Sequence, residues 1–365
     1  MSRRNFIRKI LAGLKTLAVL QLMPASPAMA AIQRPANNPH YTPLNGSTLQ
    51  ALAAAKTHHG PNGRFINPLG RLQRRSLWEV LHWKLFSENQ FKDHLDQQPI
   101  TQVQVDWPQV KRNNGVSVTF IKHASVLIKD GDHTIIVDPV FNDMLWFIKD
   151  FSPLAFDVRE LPHLDHILIT HGHYDHLNKT ALAALDPRTH VITPLGYDDI
   201  FAELKMNHRT QLDWYDQYTD GHWEITLLPC NHWTMRNPIT GPNHSLWGSY
   251  MVKTPSGKTI YLSGDTAYFD GFNEIGSQFD IDLAILNLGA YEPRWFMAPS
   301  HMNPAETVEA FKQLNAKQLM VVHWGSFRLG DEPVHFPPQD LRVVLEEEKL
   351  LERWVDIRHG QTHYL

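Results

Sequence analysis

Within six positions, His171-Gly-His-Tyr-Asp-His176 gathers three imidazoles and a carboxylate directly after the apolar run His166–Thr170. A buried strand that empties into a tight turn can aim such side chains at one point. Imidazole and carboxylate are also the ligands that zinc accepts outside all-cysteine sites. A histidine-rich surface loop is the competing reading, since the chain carries 22 histidines. An Asp set between the second and third His of so short a run favours the metal reading.

The chain has 365 residues, 42% of them hydrophobic, enough to bury a sizeable core as one large domain or two fused halves. Its first thirty residues stand apart. Arg3 and Arg4 are followed by Phe6 and Ile7, a modest apolar run extends from Ile10 to Met23, and Ala28-Met-Ala30 offers a small-x-small cleavage site. This predicts a signal peptide of the twin-arginine type over residues 1–30. The shortness of the run, and Lys15 within it, weigh against an uncleaved membrane anchor. The expected location is the periplasm or cell envelope, and export in folded form suits a metal site loaded beforehand. Without residues 1–30 the chain keeps 29 basic against 38 acidic residues, a net of −9. That balance argues against a nucleic-acid partner, which would call for a basic face. Cys230 is the single cysteine, so no intrachain disulfide can form, and it is read as a buried thiol rather than a ligand.

Residues 31–60, rich in Ala, Pro, Asn and His without strong periodicity, read as an extended arm leading into a domain over 61–365. Trp78, Trp83 and the aliphatic residues of Leu77–Phe86 fall on a short helical pattern. A helix packing across the body of the fold is the preferred reading, and peripheral contact with lipid the second. From Val116 onward short β-rich runs take over. Val116–Ile121, Ser125–Ile128 and Thr134–Val137 are spaced like a meander, and a loop over one end of the sheet is expected between Asn142 and Leu161. His190–Thr193, Trp223–Leu228, Ser249–Lys253, Thr259–Ser263, Leu283–Leu286 and Gln318–Val322 are further strand candidates. Helices are predicted over Ala181–Leu185, Tyr197–Leu204, Pro304–Leu314 and Pro338–Leu351. The third is signalled best, with Asn303 as N-cap, Pro304 at the first helical position and Glu306 at the third. Two β-rich halves with interspersed helices predict an α/β (α+β) fold, two sheets face to face with helices outside.

Three more polar residues lie just beyond predicted strands: His232, Asp265 after Gly264, and His323. Single residues of this sort are most often satisfied core or capping groups. Their shared position at strand ends, where side chains from different strands converge, makes them candidates to join the histidine cluster.

His171-x-His-x-Asp-His176, a later His, the Gly264-Asp-Thr turn and a final His together resemble the metallo-β-lactamase superfamily. Gly63-Arg-Phe-Ile-Asn-Pro68, Phe120-Ile-Lys-His-Ala124, Asp138-Pro-Val-Phe141 and Asn231-His-Trp233 narrow the likeness, as do Gly289–Met297, His301-Met-Asn-Pro304 and His323-Trp-Gly-Ser-Phe327. Those segments resemble the N-acylphosphatidylethanolamine-hydrolysing phospholipase D group and its bacterial relatives, over roughly residues 60–330.

The resemblance implies a four-layer αββα sandwich and two zinc ions per chain. One ion would rest on His171, His173 and His232, the other on Asp175, His176 and His323, with Asp265 bridging both. It implies catalytic roles for Asp175, Asp265 and His301, and substrate contact by Tyr174 and His301. For His301, service as an N-terminal partner of the following helix is the alternative. The implied reaction is hydrolysis of a phospholipid-like phosphodiester, with a hydroxide held between the ions as the attacking group. A homodimer is implied as well, because relatives include homodimers. A lactonase or other acyl hydrolase on the same ions is the second functional reading, with a β-lactam hydrolase as its weaker form. A non-catalytic zinc-binding envelope protein is the third, and the complete ligand set argues against it.

Overall fold

In the computed structural model, which describes residues 44–70, 77–95, 98–144, 147–237 and 239–365, two β-sheets lie face to face. The first is built from β1 (Val116–Lys122), β2 (Ser125–Asp130), β3 (His133–Val137), β4 (His166–Leu168), β5 (His190–Pro194), β6 (Arg209–Leu212) and β13 (Thr362–Tyr364). Its order is β13-β1-β2-β3-β4-β5-β6. The second contains β7 (Gln217–Thr219), β8 (Glu224–Leu228), β9 (Ser249–Lys253), β10 (Thr259–Leu262), β11 (Leu283–Asn287) and β12 (Gln318–Val322). Its order is β12-β11-β10-β9-β8-β7. Each sheet pairs antiparallel over its meander and becomes parallel where longer crossovers intervene, at β3–β4–β5–β6 and at β10–β11–β12.

The inner strands of the first sheet carry apolar side chains on both faces, as a sheet covered on both sides requires. Side chains alternate along each strand. Val126 and Ile128 enter the core between the sheets, while Leu127 joins the outer cluster. In β3, Ile135 and Val137 point inward and Ile136 outward. Against that outer face pack Ala181 and Leu182 of the Lys179–Ala183 helix and Phe201 of the Asp198–Glu203 helix. The second sheet is covered by the Gly271–Gln278, Pro304–Leu314 and Pro337–Glu347 helices, through residues such as Ile275, Phe311 and Leu341. The layers therefore run αββα, as the resemblance implied. Each fully buried aliphatic side chain contributes roughly 1.5–3 kcal/mol, so the double-sided pattern specifies this layering strongly.

Asn303 and Glu306 form the expected reciprocal cap of the Pro304–Leu314 helix. The last helix begins one residue earlier than predicted and stops at Glu347, where Lys349 turns into the left-handed region (φ 57°). The predicted signal peptide and the arm as far as residue 43 lie outside the described residues. From residue 44 the chain is not an extended arm. A short helix, Leu49–Ala54, starts at the cap Thr48 and buries Leu49 and Ala53 in the core between and beyond the sheets. Its first N–H groups go to the Glu274 carboxylate, at 2.6 Å from Leu49 N and 3.3 Å from Gln50 N. Six residues are too few for periodicity to show, and the partner that caps the helix is remote in sequence. The domain thus begins before residue 61.

The Leu77–Phe86 helix has a dual character. Trp83 is buried, donates to Asp331 and packs on Phe296, whereas Trp78, Leu85 and Phe86 are about two-thirds exposed. Among the described residues no helix is long and apolar enough to cross a membrane.

Candidate metal centre

The 171–176 cluster follows β4 through Thr170, whose N–H and Oγ both donate to Asp138, at 2.8 and 2.6 Å. Asp138 sits immediately after β3 with φ 43° and also receives His176 Nδ1 at 2.7 Å. Gly172 permits the close turn. A Cβ there would lie 2.7 Å from Thr234 Oγ. The loop then closes on itself through Leu177 N–H to His173 O, 2.9 Å. On the facing sheet, Gly264 (φ 55°) lets the chain leave β10 sharply and deliver Asp265. His232 arrives after β8 and His323 directly after β12.

Oxygen partners fix how several of these rings present themselves. His176 Nδ1 faces the Asp138 carboxylate, His232 Nδ1 faces Ser300 O at 3.1 Å, and His171 Nδ1 faces Thr170 Oγ at 3.0 Å. Thr170 already donates its hydroxyl proton to Asp138, so its oxygen accepts from His171. In each ring the Nδ1 proton is used outward, and the Nε2 lone pair faces inward.

Those inward nitrogens form two adjoining groups. In the first, His173 Nδ1 lies 2.9 Å from His171 Nε2 and 3.2 Å from His232 Nε2. In the second, Asp175 Oδ2 lies 3.6 Å from His176 Nε2 and 3.3 Å from His323 Nε2. Asp265 touches both. Its Oδ2 is 3.8 Å from His171 Nε2, 3.8 Å from His232 Nε2 and 3.3 Å from His176 Nε2, and its Oδ1 is 3.2 Å from His323 Nε2. Asn287 steadies it by donating to Oδ1 at 2.8 Å.

All seven residues predicted as ligands are therefore brought together. His301 and Tyr174 lie at the rim. His301 Nδ1 is 3.9 Å from Asp265 Oδ2, and Tyr174 is 41% exposed with its hydroxyl donating to Arg236 O. Cys230 is buried with its thiol toward Asp265 O at 3.5 Å, away from the ligand atoms named above.

Whether a cation suits this centre can be judged from its own chemistry. His176 Nε2 and His323 Nε2 are buried beside carboxylates yet make no hydrogen bond. Lone pairs that converge on one point without satisfying each other are what a metal ion requires. The charge balance agrees. Burial holds His171 and His232 well below the ordinary imidazole value and His173 down to about 4. Burial alone would push Asp175 and Asp265 up, but the surrounding imidazoles, His176 foremost, hold both well below the usual carboxylate range. His176 is the exception among the rings, raised against the effect of burial by Asp265, Asp175 and Asp138. Two buried carboxylates draw a positive charge to this point, and neutral imidazoles stand ready to share it.

Two supporting residues were not singled out from the sequence. Asp138 and His123, whose Nε2 lies 3.0 Å from Asp175 Oδ2, occur in segments that carried the resemblance, but nothing local marks them as part of the centre. Replacing Asp138 by Ala removes the acceptor that orients His176. Metal affinity is expected to fall about 10–100-fold, measured by competition with a chromophoric chelator, and an unchanged affinity would show that His176 is oriented by packing alone. A third group, His58, His59 and Asp213, is already closed by Lys56, whose ammonium lies 2.5 Å from Asp213.

A two-sheet sandwich with a histidine–carboxylate centre at the strand ends defines a metal-dependent hydrolase. Comparison supplies the family. Residues 133–324, more than half of the chain, match the beta-lactamase superfamily domain, and the chain belongs to that family. The N-acyl-phosphatidylethanolamine-hydrolyzing phospholipase D 1 of Caenorhabditis elegans is 32% identical over 246 residues, spanning 62% of this chain and 68% of that one. The mitochondrial N-acyl-phosphatidylethanolamine-hydrolyzing phospholipase D of Saccharomyces cerevisiae is 29% identical over 225 residues, 58% of this chain and 48% of that one. The crystal structure of isothiocyanate hydrolase from Delia radicum gut bacteria shares the fold, with a TM-score of 0.57 at 18% identity over 68% of this chain and 98% of that one.

Proposed function

We propose that this chain is a zinc-dependent phosphodiesterase that cleaves a phospholipid-like substrate on the headgroup side, releasing a phosphatidic acid and an alcohol such as an N-acylethanolamine. The observation that carries this reading is the Asp265 carboxylate set between two histidine groups, in a chain similar to two enzymes named for that hydrolysis. In this reading His171, His173 and His232 would hold one zinc ion and Asp175, His176 and His323 the other, with Asp265 available to both. When bound, such a pair supplies Lewis acidity at the phosphoryl oxygens and a water ionised near neutral pH.

The chain's own residues do the rest. Asp138, Ser300 and Thr170 hold the rings in the tautomer that points Nε2 inward. His301 is pushed down to about 4 by burial, so at neutral pH it is an uncharged imidazole at the rim, able to donate a hydrogen bond to a phosphoryl oxygen. Arg236 stacks on the Tyr174 ring at 4.3 Å, which holds that half-exposed ring beside the histidine cluster, where a substrate could contact it. In the net reaction water adds its oxygen to phosphorus, the P–O bond to the headgroup alcohol breaks, and that alkoxide takes the remaining proton.

The test is a panel of phosphodiesters and lactones offered to the full chain, before and after chelation and zinc restoration. Phospholipid-type diesters should be turned over, activity should vanish with chelator, and zinc should restore it. Turnover of lactones with no diester hydrolysis would replace this reading with the acyl-hydrolase one.

A further inference from the structure

We propose that His123 is the positioning residue of the second cation site, holding Asp175 and His323 in register across the two halves of the fold. This rests on the two-ion reading above. His123 lies in the turn between β1 and β2 and is fully buried. Its backbone and its side chain each secure a different candidate ligand. The His123 carbonyl accepts from His323 N–H at 2.7 Å, and its Nε2 lies 3.0 Å from Asp175 Oδ2. Its ring also packs 4.1 Å from the His323 ring, centroid to centroid. His323 belongs to the second sheet and Asp175 to the turn after the first, so one residue ties together side chains about 150 positions apart in sequence.

The turn itself is over-determined. His123 has φ 49° and His323 φ 73°, backbone conformations that few side chains adopt and that persist where surrounding contacts enforce them. The His123 N–H donates to Ser326 Oγ at 2.9 Å, and Ser326 Oγ receives Ser152 Oγ at 2.6 Å. Next to it, the Lys122 ammonium is pinned on Asp150 at 2.6 Å.

His123 stands close enough to Asp175, His176 and His323 to be taken for a ligand. Hydrogen-bond chemistry argues otherwise. An ionised carboxylate only accepts, so the Nε2 facing Asp175 carries the proton and has no lone pair to give a metal. The other nitrogen, Nδ1, is buried without a partner. The two imidazole nitrogens point in diverging directions, so with Nε2 turned to Asp175 the Nδ1 lone pair faces away from that carboxylate. His123 orients a ligand rather than being one, and its hydrogen bonds reach none of His171, His173 or His232.

Two variants separate the roles. His123→Phe keeps a planar ring, somewhat larger than imidazole, and removes the donor. His123→Gln restores an amide N–H without an imidazole lone pair, and both keep a side chain at the same positive φ. Each full-length protein is stripped of metal and titrated with zinc against a chromophoric chelator, and the visible spectrum of the cobalt(II) form reports the geometry of each ion. His123→Phe should weaken one of the two ions about 10–100-fold and leave the other within about twofold of the original chain. His123→Gln should recover most of that loss and of the cobalt spectrum. Equal weakening of both ions, or of neither, would overturn the proposal, as would a Gln variant no better than Phe. A wild-type chain that binds fewer than two ions would instead overturn the two-ion reading together with this role.

Discussion

Asp265→Asn is expected to give a folded chain that hydrolyses nothing measurable. The amide is nearly the size of the carboxylate, and Asn287, which donates to Oδ1, can still find an oxygen there. The charge is what disappears. Asp265 lies within 4 Å of nitrogens from both histidine groups, and it is almost fully buried. Removing one partner of a buried charge pair costs about 3–5 kcal/mol. At roughly 1.4 kcal/mol per tenfold, that is about 10²–10⁴ in affinity for any cation that depends on it. An amide N–H turned toward either ion would add repulsion. Turnover should fall at least about 10³-fold, with circular dichroism unchanged and metal content below that of the wild-type chain. Wild-type turnover at full metal occupancy would remove Asp265 from the mechanism.

The second large effect concerns the scaffold beneath the centre. Lys122 is wholly buried on β1, its ammonium 2.6 Å from Asp150, which is itself 9% exposed. Burial pushes the Lys122 ammonium below its ordinary value, and Asp150 pulls it back up. Asp150→Ala leaves that cation buried with no carboxylate, a loss of about 3–5 kcal/mol in urea unfolding. Adding Lys122→Met to Asp150→Ala should recover most of it, because a well-packed apolar side chain needs no partner there. A single variant within about 1 kcal/mol of wild type would mean that water reaches Lys122 or that its ammonium gives up its proton.

Asp150 lies in the segment read from the sequence as a loop over one end of the sheet. That reading anticipated the position but not the function. Phe151 N–H bonds Ser326 O and Asp150 holds Lys122, so the loop clamps the strand that leads into His123. Nothing local in the sequence pairs a lysine with an aspartate twenty-eight positions on. The parts of the fold that were legible are those whose physics is local or repetitive. The Pro304–Leu314 helix carries its own cap, and β9 and β12 carry apolar runs bounded by turns, so their ends coincide with the prediction. The strands β6, β7 and β13 are three or four residues long and exist only through pairing at or near sheet margins, which leaves no periodic trace. The Leu49–Ala54 helix depends in the same way on Glu274.

The centre divides along the same line. His171, His173, Asp175 and His176 announce themselves because one turn supplies them all. His232, Asp265 and His323 were weaker signals singly, and became candidates through their shared position after strands. Asp138 and His123 act through other residues, with side chains common enough that no spacing marks them. Their roles became visible once β3 and the β1–β2 turn were placed beside the cluster.

The proposed function requires that seven side chains converge to hold a pair of cations. Diffraction from crystals of the zinc-loaded chain, with anomalous differences collected at the zinc edge, tests this directly. Two peaks should appear, one among His171, His173 and His232 and the other among Asp175, His176 and His323, with Asp265 between them. A folded, active preparation with no peak at either place, or with zinc only at His58, His59 and Asp213, would contradict it.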